Sequence, residues 1–99
     1  MNTEKIPPVH PGKILQIEFL EPLGISQNRL ARTMRVPPDR INAIVQCKRS
    51  ITADTAIRLA IALRTDPEFW LNIQSRYDLE SARDEIEELA IKEVIPLIV

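Results

Sequence analysis

The sequence predicts an all-α protein, a compact bundle of five helices that contains a helix-turn-helix. Apolar residues recur at helical spacing along most of the 99-residue chain, with little of the strict alternation of a half-buried strand. Glycine occurs only twice, while capping residues and prolines stand at the edges of the apolar stripes. The composition, 44% hydrophobic and 27% charged, is that of a globular chain able to bury a modest core. At this length one domain is expected, covering residues 1–99, with 79–99 as an extension that pairs two chains.

The first nine residues, ending Pro7-Pro8-Val9, read as an extended arm. A first helix is expected from Pro11 to about Glu21, with Leu15 and Phe19 on one face and Pro22-Leu23-Gly24 ending it. Ser26 is a good N-cap for a second helix, because its hydroxyl can accept from a free first-turn N–H. Ile25 and Leu30 flank that cap as a hydrophobic staple, and Leu30, Ala31 and Met34 supply the buried stripe.

The third helix starts at Pro37-Pro38, where proline's fixed φ and missing N–H suit a first turn. At about 100° per residue, Ile41, Ile44 and Val45 gather on one side. Asp39, Ala43 and Gln46 centre on the other, flanked by Arg40 and Asn42. Thr52 caps a fourth helix to about Leu63, with Ala56, Leu59, Ala60 and Leu63 at core spacing.

Asp66 as N-cap, Pro67 and Glu68 open a fifth helix whose apolar load is Phe69, Trp70, Ile73 and Tyr77, with Phe69 and Trp70 expected in the core. Beyond Tyr77 the apolar residues thin to a narrow seam, Leu79, Ala82, Ile86, Leu89 and Ala90, on an otherwise charged helix. The tail from Val94 to Val99 is apolar and β-branched, and Pro96 restricts it to an edge strand or a docked extended segment. Leu79, Ala82, Ile86, Leu89, Ile95 and Leu97 are therefore the expected contacts of a homodimer.

Several function classes are excluded on chemistry. Cys47 is the sole cysteine, so no internal disulfide forms, which suits a reducing compartment. His10 is the sole histidine, and a closed zinc site needs about four ligands, so no metal site is expected. Ser26, Ser50 and Ser75 lack a convincing base, so the chain reads as no enzyme and as needing no cofactor. No leader is visible, and no apolar run approaches the roughly 18 residues of a membrane span. A cytoplasmic protein without membrane contact is expected.

The net charge of −1 conceals segregation. Arg29, Arg32, Arg35, Arg40, Lys48 and Arg49 crowd the segment from Ser26 to Arg49, against Asp39 alone. Acids dominate from Asp66 to Glu93, with Glu85, Glu87 and Glu88 nearly contiguous. A basic middle of two short amphipathic helices joined by a tight turn is the layout that places its second helix in the DNA major groove. On that helix Gln46 offers an amide suited to adenine, and Ala43 leaves room for a thymine methyl. Asp39 either accepts from cytosine or merely complements the helix N-terminus. Arg40, Lys48 and Arg49 suit phosphates, which position a protein without specifying sequence.

The motif resembles the Xre/phage-repressor helix-turn-helix, a lambda-repressor-like arrangement. Over residues 10–80 the chain resembles the HigA antitoxins. The resemblance rests on His10-Pro11-Gly12, on Glu18-Phe19-Leu20-Glu21-Pro22-Leu23-Gly24 and on the motif followed by Lys48-Arg49. It continues through Ile51-Thr52-Ala53-Asp54-Thr55-Ala56, Pro67-Glu68-Phe69-Trp70-Leu71-Asn72-Ile73-Gln74 and Tyr77-Asp78-Leu79. It implies a dimer bound to an inverted repeat in operator DNA, autorepression, and neutralisation of a HigB-like mRNA-cleaving toxin. A stand-alone Xre-type repressor without a toxin partner is the alternative. By position, Gln27 falls where the family touches a phosphate, Pro38, Asp39 and Ala43 at base-reading positions, and Arg40 at a backbone-contact position. Gln46 and Lys48 fall at the helix end and following loop, and Arg32, Asn42 and Arg49 complete the expected DNA-binding set. Arg35 and Cys47 stand where that family favours glycine. Because a left-handed conformation costs another residue about 1–2 kcal/mol, a different turn geometry is expected there.

Overall fold

The computed structural model describes residues 7–98, and within them the chain forms five helices and no strand. We label α1 the continuous rod over 11–23, α2 Gln27–Met34, α3 Pro38–Val45, α4 Ala53–Leu63 and α5 Pro67–Glu93. Residues 1–6 of the expected arm, and Val99, lie outside the described residues.

Within α1, Pro11–Ile14 is α-helical, Leu15–Leu20 widens to a π-helical stretch, and Glu21–Leu23 tightens again. The sequence placed the helix end near Glu21, but the helix runs on through Pro22 to Leu23. A helical proline clashes with the carbonyl four residues back, and a turn with i→i+5 bonding, here Glu21 N–H to the Gln16 carbonyl, opens that space.

α1 to α4 all close in the same left-handed way, although the chain has only one glycine at a helix end. Gly24, Arg35, Cys47 and Arg64 all have φ between 55 and 64°. At Arg35 the Val36 N–H returns to the Ala31 carbonyl at 3.0 Å, and at Cys47 the Lys48 N–H returns to Ala43 at 2.8 Å. These bonds satisfy carbonyls that a helix end otherwise leaves open. The expectation of a different turn geometry at Arg35 and Cys47 is thereby corrected: satisfied carbonyls and the buried Val36 outweigh a penalty of about 1–2 kcal/mol.

The core draws on every helix. Leu15, Leu20, Leu30, Ala31, Met34, Ile41, Ile44, Ile51, Ala56, Leu59 and Trp70 form one cluster. Trp70 is fully buried and its indole N–H donates to Thr65 Oγ1 at 2.7 Å. Phe69, by contrast, is 40% exposed and packs edge-on against Phe19 and Trp70 at the rim, so only one of the two expected core aromatics is interior. Ser26 and Thr52 cap as expected, accepting from Arg29 N–H and Thr55 N–H. Asp66 occupies the N-cap position of α5, but its carboxylate makes no capping bond. Gln74, which no apolar pattern marks, is buried and satisfied at both ends. Its Oε1 accepts from Ile51 N–H at 2.8 Å, and its Nε2 donates to Asp78 Oδ1 at 2.9 Å.

Past Tyr77, α5 leaves the bundle. Leu79, Ile86 and Leu89 are each more than half exposed, and the radius of gyration is 16.7 Å where about 13 Å is usual at this length. Among the described residues, 94–98 form no strand and dock on nothing: Ile95 is 82% exposed and Leu97 95%. With Pro96 blocking one pairing edge and no strand among the described residues, the expected edge strand has nothing there to join.

The start of α1 is pinned at two residues, Gly12 and His10. A Cβ on Gly12 would overlap the Ile44 carbonyl, so this glycine is what lets α1 meet the backbone of α3. His10, 5% exposed, accepts from Gly12 N–H through Nδ1 at 2.9 Å, lies edge-on to Tyr77, and makes a hydrogen bond to the Arg49 backbone. Burial depresses its pKa below the usual 6.5, against opposing pulls from Asp78 and the Arg49 backbone.

Gly12→Ala should destabilise the fold by about 1–3 kcal/mol and lower the melting temperature by several degrees, read by calorimetry. A neutral effect would mean that α1 and α3 do not meet so closely. For His10 the unfolded state binds the proton more tightly, so stability is full above pH 6.5 and declines as pH falls through that value toward the depressed native one. Denaturation midpoints should show this decline in the native sequence and not in His10→Asn, which keeps a capping acceptor without the titration; equal declines would remove His10 as its source.

Candidate nucleic-acid interface

The helix pair α2 and α3 is set by side chains that face inward. Leu30, Ala31 and Met34 of α2 and Ile41 and Ile44 of α3 are at most 3% exposed, and Ala31 is small where the helices cross. Val45, expected beside them, is only half-buried. The remaining faces of α3 then follow from the helical repeat. Pro38, Asp39, Asn42 and Gln46 are exposed, and Ala43 is half-buried among them. One outward strip thus carries a carboxylate, two amides and a methyl group.

Gln27, at the start of α2, reaches this strip. Asn42 Nδ2 donates to Gln27 Oε1 at 3.2 Å, which leaves the Gln27 amide N–H groups free to donate outward. Arg32 does not join them. Five residues beyond Gln27, it is turned about 140° around α2 and is exposed on the outer face.

The loop after α3 presents Lys48 and Arg49, both exposed and without an ion pair among the described residues. Its path is fixed from both sides. Lys48 N–H closes the end of α3, and the Arg49 backbone is held by His10. Two cations are therefore presented by a constrained backbone, which lessens the entropy that an anion contact there would cost.

Arg40 departs from the expected free cation. Its side chain is 26% exposed, and Nη1 lies 3.5 Å from Asp54 Oδ2 in the first turn of α4. Its Nε is buried with no hydrogen-bond partner among the described residues. Asp54 in turn meets Arg58 Nε at 3.2 Å, and Arg58 Nη1 donates to the Met34 carbonyl at 2.8 Å. The sequence marks Asp54 only as part of a family-like segment and does not mark Arg58 at all. The i,i+4 acid–base spacing was visible, but nothing local shows that it faces α3. His10, which opens the first helix in the sequence, is its N-cap through a ring nitrogen, a role its place before Pro11-Gly12 signals.

The described residues hold no grouping of three or more His, Cys, Asp or Glu side chains placed for a metal, and no helix is long and apolar enough to cross a membrane. What the strip offers is hydrogen-bonding edges beside cations, on a convex element about as wide as a major groove.

Comparison with known proteins agrees with this geometry. Residues 17–70 match the family model described as helix-turn-helix. Antitoxin HigA-1 of Vibrio cholerae serotype O1 is 43% identical over 99 residues, which is all of this chain and 92% of that protein. The structure of antitoxin GraA superposes with a TM-score of 0.92 at 40% identity, covering 94% of this chain and all of that one. Antitoxin HigA of Pseudomonas aeruginosa, solved with the higBA promoter, gives a TM-score of 0.88 at 42% identity over 92% of this chain and 99% of that one. With a family model over more than half of its length and relatives above 40% identity along nearly all of it, the chain belongs to the helix-turn-helix family and, within it, to the HigA antitoxins.

Proposed function

We propose that the chain is an antitoxin that binds its own operator as a dimer, represses its operon, and holds a HigB-like mRNA-cleaving ribonuclease inactive. The observation that carries this is the division of α3: Ile41 and Ile44 are fully buried while Asp39, Asn42 and Gln46 face solvent, in a chain so similar to a HigA solved on its promoter. The protein acts by binding in the cytoplasm, without catalysis or cofactor.

The contacts sort by chemistry. Gln46 and Asn42 carry amides that can pair with adenine, while Ala43 and Pro38 offer only apolar contact, so shape readout shares the work of specificity. Gln27, Lys48 and Arg49 bind phosphates, with Arg40 adding a restrained charge and Arg32 a peripheral one. Asp39 complements the α3 N-terminus and faces base edges.

A single recognition helix buries too little surface for tight binding, whereas two read half-sites about 10 bp apart. Residues 79–99 serve this pairing, the rest of the 1–99 domain serving DNA. Leu79, Ala82 and Ile86 line a shallow groove along α5 with Arg83, Glu87 and Ala90, and Leu89, Ile95 and Leu97 are solvent-exposed in the single chain. Glu85 and Glu88, outside that groove, are exposed on the same helix, an acidic surface suited to a cationic toxin.

Gel-shift titration on the DNA upstream of the coding region tests the reading. Saturable binding is expected, and Lys48→Ala or Arg49→Ala should weaken it on all sequences and flatten the salt slope by about one unit each. Salt slopes unchanged in both variants would remove the phosphate assignment. Light scattering at micromolar concentration should give twice the 11.3 kDa chain mass, falling to one chain in Ile86→Glu. A native monomer would exclude the proposed pairing.

A further inference from the structure

The network around Asp54 does something that a phosphate contact alone does not require. Asp54 is 60% exposed, yet its carboxylate is taken by two arginines from different elements. Arg58, from one turn later in α4, meets both carboxylate oxygens, at 3.2 and 3.3 Å, and is itself anchored on the Met34 carbonyl at the end of α2. The carboxylate is thus built into the frame of the helix-turn-helix. Arg40, from the first turn of α3, reaches it with a single Nη1 at 3.5 Å, while its Nε is buried without a partner among the described residues. A guanidinium held by one long contact, with donors left over, is oriented but not satisfied.

We propose that Asp54 is a specificity-determining residue for DNA binding: it holds the Arg40 guanidinium in one direction, so that this charge serves a correctly docked duplex and not any passing phosphate. The inference rests on the DNA-binding reading of α3. An arginine on a free stem can swing to whatever phosphate is near and adds affinity on every sequence. Tethered to α4, Arg40 meets a phosphate only when α3 sits in the groove at its proper depth, where the spare donors bridge Asp54 and phosphate together.

The test compares Asp54→Asn with the native protein on operator DNA and on a random duplex of equal length. Asparagine keeps the size and the helix position while removing the charge. Affinity for random duplex should rise about tenfold with its salt slope steeper by about one unit, while operator affinity changes less than about threefold. In an Arg40→Ala background the same substitution should leave the operator-to-random ratio unchanged. If Asp54→Asn shifts both duplexes equally, or shifts the ratio just as much without Arg40, the assignment is overturned. Melting curves within about 2 °C of native show that the fold is not the cause; should Asp54→Asn unfold, Arg40→Lys, which loses the fork but keeps the charge, must lower the ratio instead. Native protein that binds neither duplex would instead refute the DNA-binding reading itself.

Discussion

Ile41 and Ile44 are the two side chains on which the rest of this molecule depends. They anchor an eight-residue helix that could not hold itself together in water, because an isolated helix of that length lacks enough bonds to repay nucleation. Both are fully buried, and each contributes on the order of 2–3 kcal/mol of apolar burial. Their burial fixes the rotation of α3, and the rotation decides which residues face outward. Gly12 completes the constraint by letting α1 reach the Ile44 carbonyl, so the back of α3 is gripped along its backbone as well as its side chains.

Around this anchor the chain spends conformational strain and buried polarity on placing charge. Three non-glycine residues, Arg35, Cys47 and Arg64, close helices in the left-handed region. At Cys47 that closure aims the loop bearing Lys48 and Arg49, and His10 secures it from the other side. The core therefore ends in a surface whose cations differ in freedom. Lys48 and Arg49 are exposed on a held backbone, whereas Arg40 is drawn toward Asp54. In the proposed reading, that gradation separates contacts that supply affinity from contacts that enforce geometry.

Much of this was legible in the sequence, and the reasons are particular. The spacing of Leu30, Ala31, Met34, Ile41 and Ile44 has only one helical solution that buries all five, so the outward strip of Asp39, Asn42, Ala43 and Gln46 followed from it. Ser26 and Thr52 bond locally, within three residues, and such caps are readable without a fold. Long-range pairs were not. Arg40 with Asp54, Gln74 with Ile51, and Gly12 with Ile44 join residues from separate elements, and no local pattern announces them. Phe69 shows the converse: its helical position suited the core, but Trp70 fills the interior and leaves it at the rim. The closures at Arg35 and Cys47 were misjudged because a local penalty was weighed without the tertiary contacts that outweigh it.

The most direct measurement of the central claim is an amide-resolved NMR titration of the protein with its upstream duplex. The account predicts shifts concentrated at Gln27, Asp39, Asn42, Ala43, Gln46, Lys48 and Arg49, with Ile57 and Ile61, exposed on α4, and the start of α5 little changed. Shifts centred on those latter residues, with the outward strip of α3 silent, would contradict it.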